Sequence, residues 1–126
     1  PVSSERDLPD LIRAHLSSVW SLELLLLVRR DRDRDWTVKG LTEELRASLP
    51  IVTSVLDAFE RSGLVAHDGD GRYRYAPASR LLAEFGDLVE RQYRERPVAV
   101  INLIVAPEDR LQQLADAFRF RGRDRR

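Results

Sequence analysis

The sequence predicts a mainly α fold of the α+β class, with long helices at both ends, two short helices between them and one β-hairpin. Three observations carry this expectation. Apolar residues recur at helical spacing through residues 8–30, through two short stretches between residues 37 and 62, and through residues 78–96. Two strand-like runs flank Gly69-Asp70-Gly71, a strong tight-turn signal. At 126 residues the chain is long enough for one domain with its own core.

The elements follow in order. Leu8 to Arg30 reads as one long helix, with Leu11, Ile12, Leu16, Val19 and Trp20 at helical spacing. Its LLLLV run is apolar nearly all round, as in a helix central to a core or shared with a partner subunit. Arg29 to Asp35 alternates charge and reads as a helix end and a solvated loop, because its aspartates largely cancel its arginines. Trp36 to Val38 makes a short strand or begins a helix, and Thr37 is a suitable N-cap. Val38, Leu41 and Leu45 share one face of that helix. Ala47-Ser48 is a turn, Ser48 can cap the next helix, and Pro50 fits a first helical turn. Val52, Val55, Leu56 and Phe59 form the buried stripe, and Gly63 stops the helix.

Leu64 to Asp68 and Arg72 to Ala76 read as antiparallel strands. In the second, Tyr73 and Tyr75 share one face, and Arg72 and Arg74 the other. Ala78 to Arg96 is a long helix whose stripe runs Leu81, Leu82, Phe85, Leu88, Val89, Gln92, Tyr93. Pro97 breaks or kinks it. Residues 97–106 suit a buried strand or a short helix, with helix preferred. Pro107-Glu108-Asp109 starts a last helix with Leu111, Leu114 and Phe118 on its apolar face. The organisation is thus a single domain over residues 1–126: a first helix over 8–30, a helix pair and hairpin over 36–77, C-terminal helices over 78–118, and an Arg-rich tail over 119–126 with a net charge of +4.

Composition narrows the function. Twenty-one basic residues balance 21 acidic ones, so no global field favours nucleic acid or anionic lipid. There is no cysteine, and His15 and His67 lack ligand spacing, so no metal or cofactor is expected. No nucleophile–base pairing and no glycine-rich phosphate loop is legible, which speaks against an enzyme. The longest apolar run, Leu24 to Val28, is too short for a membrane span, and nothing near Pro1 resembles a signal peptide. A soluble cytoplasmic protein is expected, its start at Pro1 rather than Met suggesting a trimmed chain. Trp20, Trp36 and His15 read as packing residues, and His67 as a surface residue.

The stretch from Thr37-Val38 through Leu41, Leu45, Ala47-Ser48, Val52, Leu56 and Phe59-Glu60-Arg61-Ser62-Gly63-Leu64-Val65 to Gly69-Asp70-Gly71-Arg72-Tyr73 resembles the winged helix-turn-helix of the MarR-like bacterial regulators. The match covers about a third of the chain and consists mostly of core and turn residues. The resemblance implies a double-stranded-DNA reader and transcriptional regulator acting as a homodimer. The second helix of the pair would enter the major groove by its first turns. Ser48, Pro50, Thr53 and Ser54 would face bases or phosphates there, while Arg46, Arg72 and Arg74 would hold the backbone. Leu81, Phe85, Leu88 and Tyr93 are the expected dimer contacts.

The charge departs from that pattern. Residues 48–60 hold neither Arg nor Lys, and they include Asp57 and Glu60. Over residues 39–75 five positive side chains meet six negative ones. Phosphate neutralisation supplies most non-specific affinity, so weak DNA binding is expected unless Arg46, Arg72, Arg74 and the tail share one face. The alternative is a winged-helix module that binds a protein partner through the apolar tip Leu49-Pro50-Ile51.

Overall fold

The computed structural model describes residues 8–105. The order is α1 (Leu8–His15), α2 (Val19–Arg30), β1 (Trp36–Thr37), α3 (Val38–Leu45), α4 (Leu49–Ser62), β2 (Val65–His67), β3 (Arg72–Tyr75), α5 (Arg80–Glu95) and α6 (Pro97–Ile104). The fold is mainly helical with one small antiparallel sheet. No single helix among the described residues is long and apolar enough to cross a membrane. The expected last helix from Pro107 and the Arg-rich tail lie outside the described residues.

The expected single helix over residues 8–30 is two helices bent by 98° at residues 16–18. Periodicity missed the break because the apolar spacing runs straight through it. The physical cause is Ser18, whose hydroxyl accepts from the Ser21 amide at 3.1 Å. The Ser21 hydroxyl in turn accepts from the Ser18 amide at 3.1 Å, completing a reciprocal cap. The bend lays α1 against α4, α5 and α6, while α2 packs on α3, α4, α5 and β3.

The sheet is ordered β1-β3-β2, both pairs antiparallel. Trp36 is opposite Tyr73, and Val65 is opposite Tyr75. β1 is thus a strand, one of the two alternatives left by the sequence. Thr37 then caps α3 by accepting from the Gly40 amide at 2.9 Å. Trp36, Val65, Tyr73 and Tyr75 turn inward and Arg72 and Arg74 outward, as the alternation predicts. Gly63 ends α4 at φ 88°, a left-handed conformation that suits glycine, and a Cβ there would meet that of Ala78 at 2.9 Å. Residues 97–104 are helical; Pro97 restricts the backbone of Arg96, which ends α5 and starts α6.

The core draws on every helix: Ile12, Leu22, Leu25, Leu41, Leu56, Phe59, Phe85, Val89 and Val100 are all buried. Residues 29–35 form the expected helix end and exposed loop, except that the first of them, Arg29, is buried. Arg34 lies over the Trp36 ring at 3.7 Å from its centroid, and Arg32 donates to the Arg29 carbonyl at 3.1 Å. Arg29 donates through Nη1 to the Tyr75 hydroxyl at 2.9 Å, through Nη2 to Asp87 at 2.8 Å and through Nε to Glu90 at 3.3 Å. Burial works to lower the guanidinium's pKa, but the Asp87 and Tyr75 hydrogen bonds and the charge of Glu90 outweigh it, and the net shift is upward. Gly86 is the clearance for this contact: a Cβ there would lie 2.5 Å from the Tyr75 hydroxyl and 2.6 Å from Arg29 Nη1.

Arg29→Ala should destabilise the fold by roughly 2–4 kcal/mol in urea unfolding, below the full buried-pair figure because Asp87 and Glu90 stay partly in water. Gly86→Ala should cost about 1–3 kcal/mol by overpacking despite its better helix propensity. That cost should shrink in the Arg29→Ala background, where one of the two colliding groups is gone; an undiminished cost would sink the clearance argument.

Burial lowers the pKa of His15, whose ring sits 5.2 Å from that of Phe85 and whose Nδ1 is buried without a hydrogen-bond partner. A depressed imidazole is neutral in both states well above about pH 6.5, and the unfolded chain gains the proton first on acidification. The His15 contribution to stability should therefore fall as the pH drops through the unfolded-state value of about 6.5, and level off below the lower folded-state value. His15→Leu should flatten that part of the thermal-melting profile; an unchanged slope would assign it to other groups.

Candidate nucleic-acid interface

The residues expected at a nucleic-acid interface fall in two groups. The first surrounds the start of α4. Arg46, Ser48, Leu49, Pro50, Thr53 and Ser54 are all exposed there, while Val52, Val55, Leu56 and Phe59 hold the opposite face in the core. The second is the outward face of the sheet, where Arg72 and Arg74 are exposed. Among the described residues no hydrogen bond or ion pair joins the two groups.

The start of α4 is chemically distinctive. Ser48 has the extended backbone of an N-cap, but its hydroxyl makes no cap bond, contrary to the expectation that it would cap. Pro50 in the first turn removes one of the backbone donors available to such a bond. Among the described residues Thr53 and Ser54 make no side-chain bond either. Several other hydroxyls are engaged: Thr42 donates to the Val38 carbonyl and Ser62 to the Phe59 carbonyl, while Thr37 and Ser79 accept from backbone amides. Three uncommitted hydroxyls thus lie on the first turns of one helix, beside an exposed Leu49 that is 56% accessible.

Arg46 links α3 to this surface. It holds the left-handed conformation at φ 55°, the position glycine usually takes, and its amide reaches the Thr42 and Glu43 carbonyls. An arginine there bears a backbone cost that its side chain does not recover within the described residues, since it makes no ion pair.

The sheet face carries mixed charge. A shallow groove of about 290 Å³ sets Arg72 and Arg74 beside Asp35, His67 and Asp68. Asp68 accepts from the amides of Asp70 at 2.8 Å and Arg72 at 3.0 Å, closing the hairpin turn. Those backbone hydrogen bonds hold its carboxyl below the usual carboxylate range. On the other edge His67 stacks on Tyr73 at 4.3 Å and its Nδ1 lies 3.8 Å from Glu60. Burial, with the charges of Glu60 and Asp57, raises the Tyr73 phenol.

The expected dimer contacts are largely internal. Phe85 and Leu88 belong to this chain's own core, so they are not displayed to a second copy. Tyr93 is half-buried against that core, and Leu81 alone of the four is exposed. The stripe is continuous in sequence, but α1, α2 and α6 already cover most of it. Sequence reading also missed the Arg29 cluster. Its signal was present: Leu22, Leu25 and Arg29 continue one buried helical stripe, and Gly86 interrupts an otherwise good helix.

Arg46→Gly should raise stability by up to about 1 kcal/mol by relieving the left-handed backbone. A measured drop in stability would mean that the arginine side chain holds the turn.

No protein-family model matches this chain, and neither does any curated protein or solved structure, so the likeness to the MarR-like regulators rests on the residues themselves.

Proposed function

We propose that this chain is a winged helix-turn-helix transcriptional regulator that binds double-stranded DNA as a homodimer. The observation that carries the reading is the uncommitted polar surface at the start of α4. Ser48, Thr53 and Ser54 have free hydroxyls, and Arg46 stands beside them without an acidic partner among the described residues. Hydroxyls on the first turns of a helix that is buried on its other face suit base edges and phosphates in a major groove. The topology supports the fold assignment. A hairpin follows the helix pair, and its return strand pairs with the strand that precedes that pair. In this reading Arg72 and Arg74 are the wing's phosphate contacts. The dimer uses exposed apolar residues of the C-terminal helices, Leu81 and the 70% accessible Val98, in place of Phe85 and Leu88.

One observation favours a second reading, a winged-helix module that binds protein. Leu49 is an exposed apolar tip, and Asp57 and Glu60 lie farther along the exposed face of the same helix. That combination opposes phosphate and suits an apolar or basic partner surface.

Fluorescence anisotropy with random-sequence duplex separates the two. Binding that weakens steeply with salt is expected for the DNA reader. Arg72→Ala with Arg74→Ala should weaken binding and lower the log–log salt slope by about one for each phosphate no longer neutralised. Asp68→Asn with Asp70→Asn should strengthen it by removing like charge from the hairpin tip. No binding at low salt would overturn the DNA reading in favour of the protein module; binding indifferent to the arginine pair would remove the wing from it.

A further inference from the structure

We propose that His67 is a proton-operated clamp between the hairpin and α4: on gaining a proton it pairs with Glu60 and fixes the hairpin on the helix. The consequence, DNA binding that tightens as the pH falls, rests on the DNA reading.

The clamp is set by three contacts. His67 ends β2, and Tyr73 is its partner across the ladder in β3. The two rings stack with 5° between their planes and 4.3 Å between their centroids. Tyr73 is buried, so the stack fixes the plane of the more exposed imidazole. In that plane Nδ1 lies 3.8 Å from the Glu60 carboxylate on α4. The distance is too long for a hydrogen bond to a neutral ring, but it is an ion-pair distance once the ring is charged. Among the described residues this is the one ionic contact between the hairpin strands and α4, and Glu60 has no other side-chain partner.

The charges around His67 are mixed. Glu60 and Asp57 face it from α4, and after burial their charges also raise the Tyr73 phenol. Asp68 follows it in the chain, Asp35 shares its groove, and Arg72 and Arg74 face that groove from β3. Carboxylates titrate near pH 4 and guanidiniums above about pH 12, so an imidazole is the group that changes charge between about pH 8 and pH 6. The chain's other histidine, His15, lies on α1 against Phe85 of α5. A proton on His67 offsets one of the acidic charges that oppose phosphate, and it ties down the strands that carry Arg72 and Arg74. His67 acts through those arginines and is a positioning residue. Linkage sets the sign: where the charged imidazole favours phosphate, affinity rises on acidification.

The test is fluorescence anisotropy of the full chain with random-sequence duplex, at constant salt, at about pH 8 and about pH 6. Wild-type binding should be roughly three- to tenfold tighter at the lower pH. His67→Phe keeps an aromatic ring for the Tyr73 stack but takes up no proton, and should lose that ratio. His67→Lys is charged at both pH values, and at the higher pH should bind about as the wild type does at the lower. Glu60→Gln should bind more tightly at the higher pH and show a smaller ratio, because the clamp has lost its acceptor. Both side chains are partly exposed, so these substitutions are tolerable to the fold. DNA bound equally at both pH values by the wild type would overturn the clamp and leave the DNA reading standing. So would a full ratio in His67→Phe, which would assign the effect to His15, or a full ratio in Glu60→Gln, which would reduce it to unpaired charge. No binding at either pH would overturn the DNA reading and this proposal together.

Discussion

The buried guanidinium of Arg29 is the junction on which the arrangement of this molecule depends. It stands near the end of α2, reaches β3 through the Tyr75 hydroxyl, and holds α5 through Asp87 and Glu90. Hydrophobic contact alone would bring these elements together without specifying their relative rotation, because apolar burial is non-directional. Directed bonds from one planar group, tying its own helix to two other elements, supply that specification. Tyr75 receives more than a bond, since the guanidinium carbons of Arg29 and Arg32 lie 5.3 and 5.8 Å from its ring centroid. Gly86 lets α5 approach closely enough for this to happen, at the helix-propensity cost of an interior glycine.

A second constraint acts at the other side of the sheet. β1 is only two residues long, yet it pairs with the return strand of the hairpin and buries Trp36. Arg34 closes over that ring and Thr37 immediately begins α3. The hairpin is therefore tied to the helix pair from both flanks, through Trp36 at one edge and through α4 and β2 at the other. Such anchoring positions an outward sheet face rigidly, which is what a surface used for recognition requires.

The charge of that surface sets its character. The proposed interface carries Arg46, Arg72 and Arg74, but it also carries Asp35, Asp68, Asp57 and Glu60. Attraction to phosphate is local here rather than a property of the whole face. Recognition would draw on hydroxyl contacts and shape as much as on counterion release. The denser cationic cluster lies elsewhere, where α2 meets α5 and α6, and there it has apolar walls.

Much of the architecture was legible in the sequence because its determinants are local. The α4 stripe, the Gly63 stop, the Gly69-Asp70-Gly71 turn and the two-faced alternation of Tyr73, Tyr75, Arg72 and Arg74 follow from helical and strand periodicity and from turn chemistry. The exposure of Arg46, Ser48, Pro50, Thr53, Ser54, Arg72 and Arg74 was legible for the same reason, since the buried stripe of an element defines its free face. What periodicity does not encode is which elements meet. The 98° bend between α1 and α2 lies within one continuous apolar pattern, and only the serine cap and the packing it permits produce it. Phe85 and Leu88 have the spacing of a contact stripe whether a partner helix or the chain's own α1, α2 and α6 cover them. Arg29 looks like one more charge in a solvated run until residues 46, 58 and 61 positions away converge on it. Local sequence determined the elements and their faces; long-range convergence decided which charges are buried, because desolvating an arginine is tolerable only where distant partners arrive to satisfy it.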